Sequence, residues 1–322
     1  METFDVQLTV GRVLGHAPAR SPSGRSAATI DIAQDLLLRH LRLGGVLDLL
    51  VFKGGTALRK LYAGAAGRFS TDLDFSVHSL TDDPATVIAM LAEAIDGTEL
   101  GPFRYHVVEH RGRFHITYGS SIPALHMTTE LQSKIDVGPP PWLEPSAKHW
   151  VSVPIHSRYG GPLPDLLCMR LEENIAEKIA RLNRRTLARD AYDLVWISST
   201  PGHNLNRLLI RRLAVLKCWV DLHGLTTANS CWSPLPEARP FDTERWLHPR
   251  RQRDFDDENI GLLTAPPPDL DTLGHELSNR YQWLADLDQD ERIVANGAAA
   301  DRTTVLRMLA DLEGKRLNGL AW

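Results

Sequence analysis

Two carboxylates at alternate positions, Asp72 and Asp74, follow a glycine pair at Gly54-Gly55. The runs are Phe52-Lys53-Gly54-Gly55-Thr56-Ala57-Leu58-Arg59 and Ser70-Thr71-Asp72-Leu73-Asp74-Phe75. On an extended strand side chains alternate, so both carboxylates face one side. Carboxylates that close together repel unless a cation joins them, and Mg²⁺ favours such oxygen ligands. Backbone amides of Gly54, Gly55 and Thr56, at a turn that opens a helix, suit phosphate oxygens. The chemistry these residue types support together is Mg²⁺-dependent nucleotidyl transfer, with Mn²⁺ as a substitute ion. Lys53 precedes the glycines but does not occupy a phosphate-loop lysine position; without a Walker pattern, ATPase-type binding is not expected. Ser70 lies two residues before Asp72, where its hydroxyl can meet a nucleotide or serve as a loop serine. No Ser-His-Asp, Cys-His or zinc-protease spacing is present. His106, His110, His115 and His126 lack ligand spacing and read as surface or core residues. Arg59 reads as part of a solvated face.

The elements that must position these residues follow from periodicity. Residues 26–45 predict a helix with Ile30, Leu37 and Leu41 among its apolar positions, stopped by Gly44-Gly45. A buried strand over 46–52 leads into the glycine turn, and a short helix runs from Thr56 to Tyr62. Strands are expected at 72–77, 126–137 and 151–155, a hairpin of 104–110 with 113–118 turns at Gly112, and a helix spans 84–95. Helices follow at 171–185, 188–198 and 205–222. Residues 226–270 carry seven prolines and the acidic group Asp254, Asp256, Asp257 and Glu258, so they read as a loop-rich insertion. Helices over 273–287 and 301–317 close the chain. The expected class is α+β: a catalytic domain over 1–160, and a mainly helical carboxy-terminal domain over 161–322.

With 43% apolar and 24% charged residues the chain is that of an ordinary globular protein. A formal net charge of −4 argues against general polyanion binding. Residues 170–217, however, hold ten Lys or Arg against five Asp or Glu, a local basic excess suited to nucleic acid. Cys168, Cys218 and Cys231 have no metal spacing and fit a reducing cytoplasm. No signal peptide or membrane-length apolar run is expected.

The run from Phe52 to Phe75 resembles the first motif of the AbiEii family of nucleotidyltransferase toxins, which includes the MenT toxins, within the DNA polymerase β-like superfamily. Leu171-Glu172-Glu173-Asn174-Ile175-Ala176-Glu177-Lys178 is similar to that family's Ala-Glu-Lys helix, and Arg189-Asp190-Ala191-Tyr192-Asp193 to its Arg-Asp-x-Tyr-Asp segment. The resemblance implies a polymerase β-like sheet carrying three acids, with Asp136, in Gln132-Ser133-Lys134-Ile135-Asp136, as the third. It implies metal binding by Asp72, Asp74 and Asp136, and a triphosphate contact from Lys178. Helical geometry places Lys178 at the border between a buried stripe and a basic stripe. Asp190 becomes a candidate for binding nucleotide, and Asp193 is left open between that and a helix-start role.

The same resemblance implies transfer of a nucleoside monophosphate from an NTP to a tRNA 3′ end, blocking aminoacylation, in a toxin–antitoxin or phage-defence setting. An AbiEi-like or modifying antitoxin would be the partner, and Ser70 a candidate point of control. Arg181, Arg185, Arg189, Arg211 and Arg212 are then candidates for RNA docking. A protein-modifying transferase and an inactive nucleotide-binding relative are the alternatives.

Overall fold

The computed structural model describes residues 5–17, 21–122, 125, 131–225, 232–255 and 268–316. The expected strand start at His126, the thiol of Cys231, and Asp256, Asp257 and Glu258 lie outside these residues. The chain divides into two compact units. One runs through Pro140 and resumes at Ser146–Cys168; the other takes Pro141–Pro145 and the described chain from Met169 onward.

The first unit is a mixed sheet with helices: α1 (Val10–His16), α2 (Pro22–Leu43), β1 (Leu50–Lys53), α3 (Gly54–Leu58), β2 (Leu73–Val77), α4 (Pro84–Ile95), β3 (Glu99–Leu100), β4 (Phe103–His110), β5 (Arg113–Ser120), β6 (Leu131–Gly138), β7 (Ser146–Lys148) and β8 (Leu166–Cys168). The strand order is β3-β4-β5-β6-β2-β1-β8-β7. The β2–β6 and β1–β8 pairs are parallel and the others antiparallel. Leu73, Phe75, Phe52 and Ile135 alternate into the core with Leu36, Leu37 and Leu41 of α2. Ser21 starts α2 by accepting from the Gly24 amide at 3.1 Å, and Asp83 caps α4 by accepting from the Thr86 amide at 3.0 Å. The β4–β5 hairpin closes on Arg111 and Gly112, both at positive φ, as a two-residue turn of matching twist requires.

The expected strand over 151–155 does not form. Pro154 has no N–H for a ladder, and a 3-10 turn spans Pro154–Arg158 instead. The sheet gains β7 and β8 in its place. The helix expected over 56–62 splits: α3 runs directly into one π-helical turn, Arg59–Ala63. Arg59 and Lys60 there are both buried, at 4% exposure, which corrects the solvated reading of Arg59. Lys60 Nζ pairs with Asp31 at 2.9 Å and with Asp35, both on α2. Arg59 reaches Asp31 at 3.3 Å, donates to the carbonyls of Gly64 (2.8 Å) and Gly67 (2.7 Å), and stacks over Phe69 at 3.7 Å. A buried ion cluster of this kind is costly to desolvate and costly to break. It clamps the loop that delivers residues 68–72.

The second unit is helical: α5 (Leu171–Arg184), α6 (Ala188–Ser199), α7 (Arg207–His223), α8 (Thr243–Leu247), α9 (Leu270–Arg280), α10 (Gln289–Ala295) and α11 (Arg302–Ala310). Glu173 of α5 is fully buried; it accepts from the Trp142 and Leu143 amides at 2.9 Å and pairs with Lys217 of α7 at 2.9 Å. The expected helix 273–287 ends at Arg280 and that over 301–317 ends at Ala310. Between them stands α10, set by the Asp288–Glu291 capping box. Burial pushes the Cys168 thiol up to about 12 and raises that of Cys218 too, so both are inert packing groups. Among the described residues no helix is long and apolar enough to cross a membrane.

Candidate active site

The glycine turn sits where β1 becomes α3. Gly54 has φ +77°, and a Cβ placed on it would stand 2.9 Å from both Cβ and Cγ of Asp74, with its Oδ2 nearer still. A Cβ on Gly55 would stand 2.6 Å from Nη2 of Arg68 and 3.2 Å from Oγ of Ser70. The two glycines thus leave room for a carboxylate on one side of the turn and a guanidinium on the other. Only residues without a side chain permit this approach.

Strand register assembles the rest. Asp74 is the partner of Lys53 on β1 and of Asp136 on β6, so the three form one row across neighbouring strands. Asp72 lies two residues before Asp74, just ahead of β2, where the alternation of the strand, continued by one residue, would give it the same side. Leu73, Phe75 and Ile135 point the other way, into the core. Asp136 reaches this row because β6 runs parallel to β2, after the chain has built β3, β4 and β5. Lys53 Nζ comes within 3.5 Å of where a Cβ on Gly138 would stand, leaning across the same face.

Asp72 is tied from two directions. The Thr56 hydroxyl donates to the Asp72 carbonyl, so that hydroxyl is committed to positioning. The buried Gln34 amide donates to the Thr71 carbonyl and to Ser133 Oγ, each at 3.0 Å, linking the Asp72 segment to β6. Burial raises the Tyr118 phenol, and the Asp72 charge adds to it. That phenol stays neutral beneath the acids. The Asp136 carboxylate pairs with Lys134, two residues earlier on the same strand face. Among the described residues no three His, Cys, Asp or Glu side chains converge as a ready-made metal cage. The donor set on this face is still three carboxylates, hard oxygen ligands of the kind a divalent ion requires.

Arg68 is the residue that sequence reasoning passed over. It sits in the loop between the π-helical turn and β2, is 5% exposed and packs on Gly55 beside Ser70, itself 8% exposed. Its Nη1 donates to the Phe69 carbonyl at 3.1 Å. Loop composition held no signal for it; the glycine pair, which must leave space for something, was the available hint.

In the helical unit, Lys178 is buried on α5 rather than at a stripe border. Its ammonium meets Asp190 at 2.8 Å and Asp193 at 2.9 Å, both on α6, while Arg181 stands 3.5 Å from Asp190. The segments carrying the second and third resemblances therefore form one buried cluster, and Asp193 belongs to it with Asp190. Of the arginines considered for RNA, Arg211 is 7% exposed and pairs with Glu291 at 2.7 Å, which removes it from any docking face. Arg212 pairs with Asp288 at 3.0 Å. Arg185 is exposed and Arg189 half-buried.

A family model described as nucleotidyl transferase AbiEii toxin, type IV TA system, matches residues 35–276. Among solved structures the chain is similar to MenT4, a nucleotidyltransferase toxin from Mycobacterium tuberculosis H37Rv. The two share 34% identity over 95% of this chain and 99% of that one, at a TM-score of 0.81. JHP933 from Helicobacter pylori matches at 16% identity over 88% of this chain and 98% of its own, at a TM-score of 0.45, too weak a likeness to argue from. No curated protein gives a match. A family match over most of the chain, on this α+β fold, makes the protein a member of the AbiEii family of toxin nucleotidyltransferases.

Proposed function

We propose that the protein moves a nucleoside monophosphate from an NTP to the 3′-terminal hydroxyl of tRNA, which prevents aminoacylation and so stops translation. The row Lys53–Asp74–Asp136, set over the glycine turn with Asp72 beside it, is the observation that supports this reading most. The acceptor oxygen attacks the α-phosphorus, the bond to the β-phosphate oxygen breaks, and pyrophosphate leaves. Asp136 takes the hydroxyl proton at its carboxylate once it swings from Lys134. Lys53, Arg68 and the amides of Gly54, Gly55 and Thr56 meet phosphate oxygens and hold the reacting atoms in line. Asp72, Asp74 and Asp136 would hold Mg²⁺, with Mn²⁺ able to replace it. The ion would supply charge neutralisation on the triphosphate and activation of the attacking hydroxyl.

The resemblance assigns Lys178 to the triphosphate, and Asp190 and Asp193 keep its ammonium in place. Membership of a type IV toxin–antitoxin family implies an antitoxin; an AbiEi-like or modifying protein fits that role. A modifying one has a target in Ser70, where a phosphate would add negative charge against Asp72 and the nucleotide. The direct test is amino-acid acceptance. tRNA treated with the protein, Mg²⁺ and NTPs, then repurified, should refuse charging by a synthetase extract, and trimming its 3′ end should restore it. Full acceptance after treatment would end the tRNA reading.

A further inference from the structure

The helical unit contains an open groove of about 1150 Å³, beyond the usual ~300–1,000 Å³ of small-molecule pockets. One wall is the turn after α6 with the start of α7, including Asn204 and Arg207. The other is the end of α9 and the 3-10 turn after it, including Asn279, Gln282 and Trp283.

The floor is built to hold an aromatic face still. Tyr281 is buried and its hydroxyl donates to the Leu194 carbonyl at 2.9 Å. Trp283 stands 5.6 Å from the Tyr281 ring, and its Nε1 donates to the Arg280 carbonyl at 2.9 Å. Its own carbonyl accepts from Arg211 at 3.5 Å. The indole is thereby fixed by its backbone and by its edge, and it is half-exposed. The exposed Arg207 guanidinium lies 5.9 Å from that ring. Asn204, Asn279 and Gln282 are exposed amides, each offering donors and an acceptor together. Arg280 lines the groove but is engaged by Glu276 at 2.7 Å, and Asp286 is the carboxylate of the lining.

We propose that this groove binds a single-stranded RNA segment, with a base stacked on Trp283 and its phosphate at Arg207. A fixed aromatic plane beside a guanidinium is how proteins hold unpaired bases, and amides suit base edges. A peptide is the poorer fit, because Leu205 is the aliphatic residue in the lining and peptide grooves rely on apolar anchors. The proposal rests on the reading that the acceptor is RNA.

The test measures binding, not transfer. A short fluorescein-labelled single-stranded RNA is titrated by anisotropy into wild type, Arg207→Glu, Trp283→Ala, Trp283→Phe and Asp72→Asn proteins, with transfer to tRNA assayed in parallel. Trp283→Ala should weaken binding roughly 5- to 150-fold, the range for losing one stacked base. Trp283→Phe should keep most of the affinity, which separates stacking from misfolding. Arg207→Glu, a change at an exposed position, should weaken binding at least tenfold. Asp72→Asn should bind like wild type. Equal affinity across the groove variants overturns the groove and leaves the transfer reading standing. Groove-dependent binding without transfer by wild type does the reverse. No binding of the probe by wild type overturns the groove, and the parallel transfer assay alone decides the transfer reading.

Discussion

Alanine at Gly54 is the sharpest perturbation the geometry offers. An L-residue at φ +77° costs about 1–2 kcal/mol of backbone energy. The new Cβ would meet Cβ of Asp74 at 2.9 Å, where ordinary contact begins at 3.4 Å. Because a Cβ is fixed to its backbone, no rotamer relieves this, and β2 must retreat by about 0.5 Å (3.4 minus 2.9). A misplacement of ~1 Å can cost ~100-fold in rate, so half of that places the loss at roughly 10-fold in kcat. Gly112→Ala is the matched control, at φ +72° with nothing within 4 Å of the new Cβ. In urea unfolding Gly112→Ala should lose the backbone cost alone and Gly54→Ala that cost plus the clash, and only Gly54→Ala should lose transfer of α-labelled nucleotide. Gly54→Ala activity within threefold of wild type would refute the claim that the glycine exists to admit Asp74.

Four other outcomes rest on the same structure. Arg68→Ala removes a buried cation from the glycine turn; a charge-assisted hydrogen bond of ~1.5–3 kcal/mol makes the expected rise in NTP KM about 10- to 100-fold, and an unchanged KM would reassign Arg68 to the loop alone. Ser70→Asp should bring transfer to background in a protein that melts like wild type, and a fully active variant would remove Ser70 as a control point. Burial works to raise Asp31 and Asp35, but Lys60, with Arg59 or His156, holds both below the usual carboxylate range. Depressed acids stabilise the fold above their unfolded value of about 3.9 and lose that contribution as pH falls through their folded values. Urea midpoints should therefore fall steeply below about pH 4. Lys60→Met, which takes the shared ammonium from both buried carboxylates and leaves Asp31 to Arg59 and Asp35 to His156, should lose ~3–5 kcal/mol already at pH 7; a wild-type midpoint flat from pH 6 to pH 3 would contradict the cluster's role.

Local signals carried much of this protein. Gly54-Gly55 and Asp72-x-Asp74 announced a turn and a same-sided acid pair because both depend on spacing within one short run. The helix over 84–95 matched α4 at both ends, since Asp83 and Pro84 mark its start. What sequence could not fix were consequences of register and of one widened turn. Asp136 meets Asp74 only because β6 pairs in parallel with β2 after three intervening strands, a contact no local pattern encodes. Arg59 reads as a surface residue, but in the π-helical turn it is buried against Asp31, beside Lys60 on Asp31 and Asp35. Lys178 read as a border residue by helical angle, and the carboxylates that bury it lie on another helix.

Nucleotidyl transfer to RNA by the acids of this site can be tested directly. Purified protein is incubated with Mg²⁺, total tRNA and each α-labelled NTP in turn, beside Asp74→Asn and an EDTA-treated sample, and the products are split between RNase and protease digestion. RNase-sensitive label is expected from wild type with at least one NTP, and none from Asp74→Asn or with EDTA. Label that survives RNase but yields to protease, or equal labelling by Asp74→Asn, would contradict it.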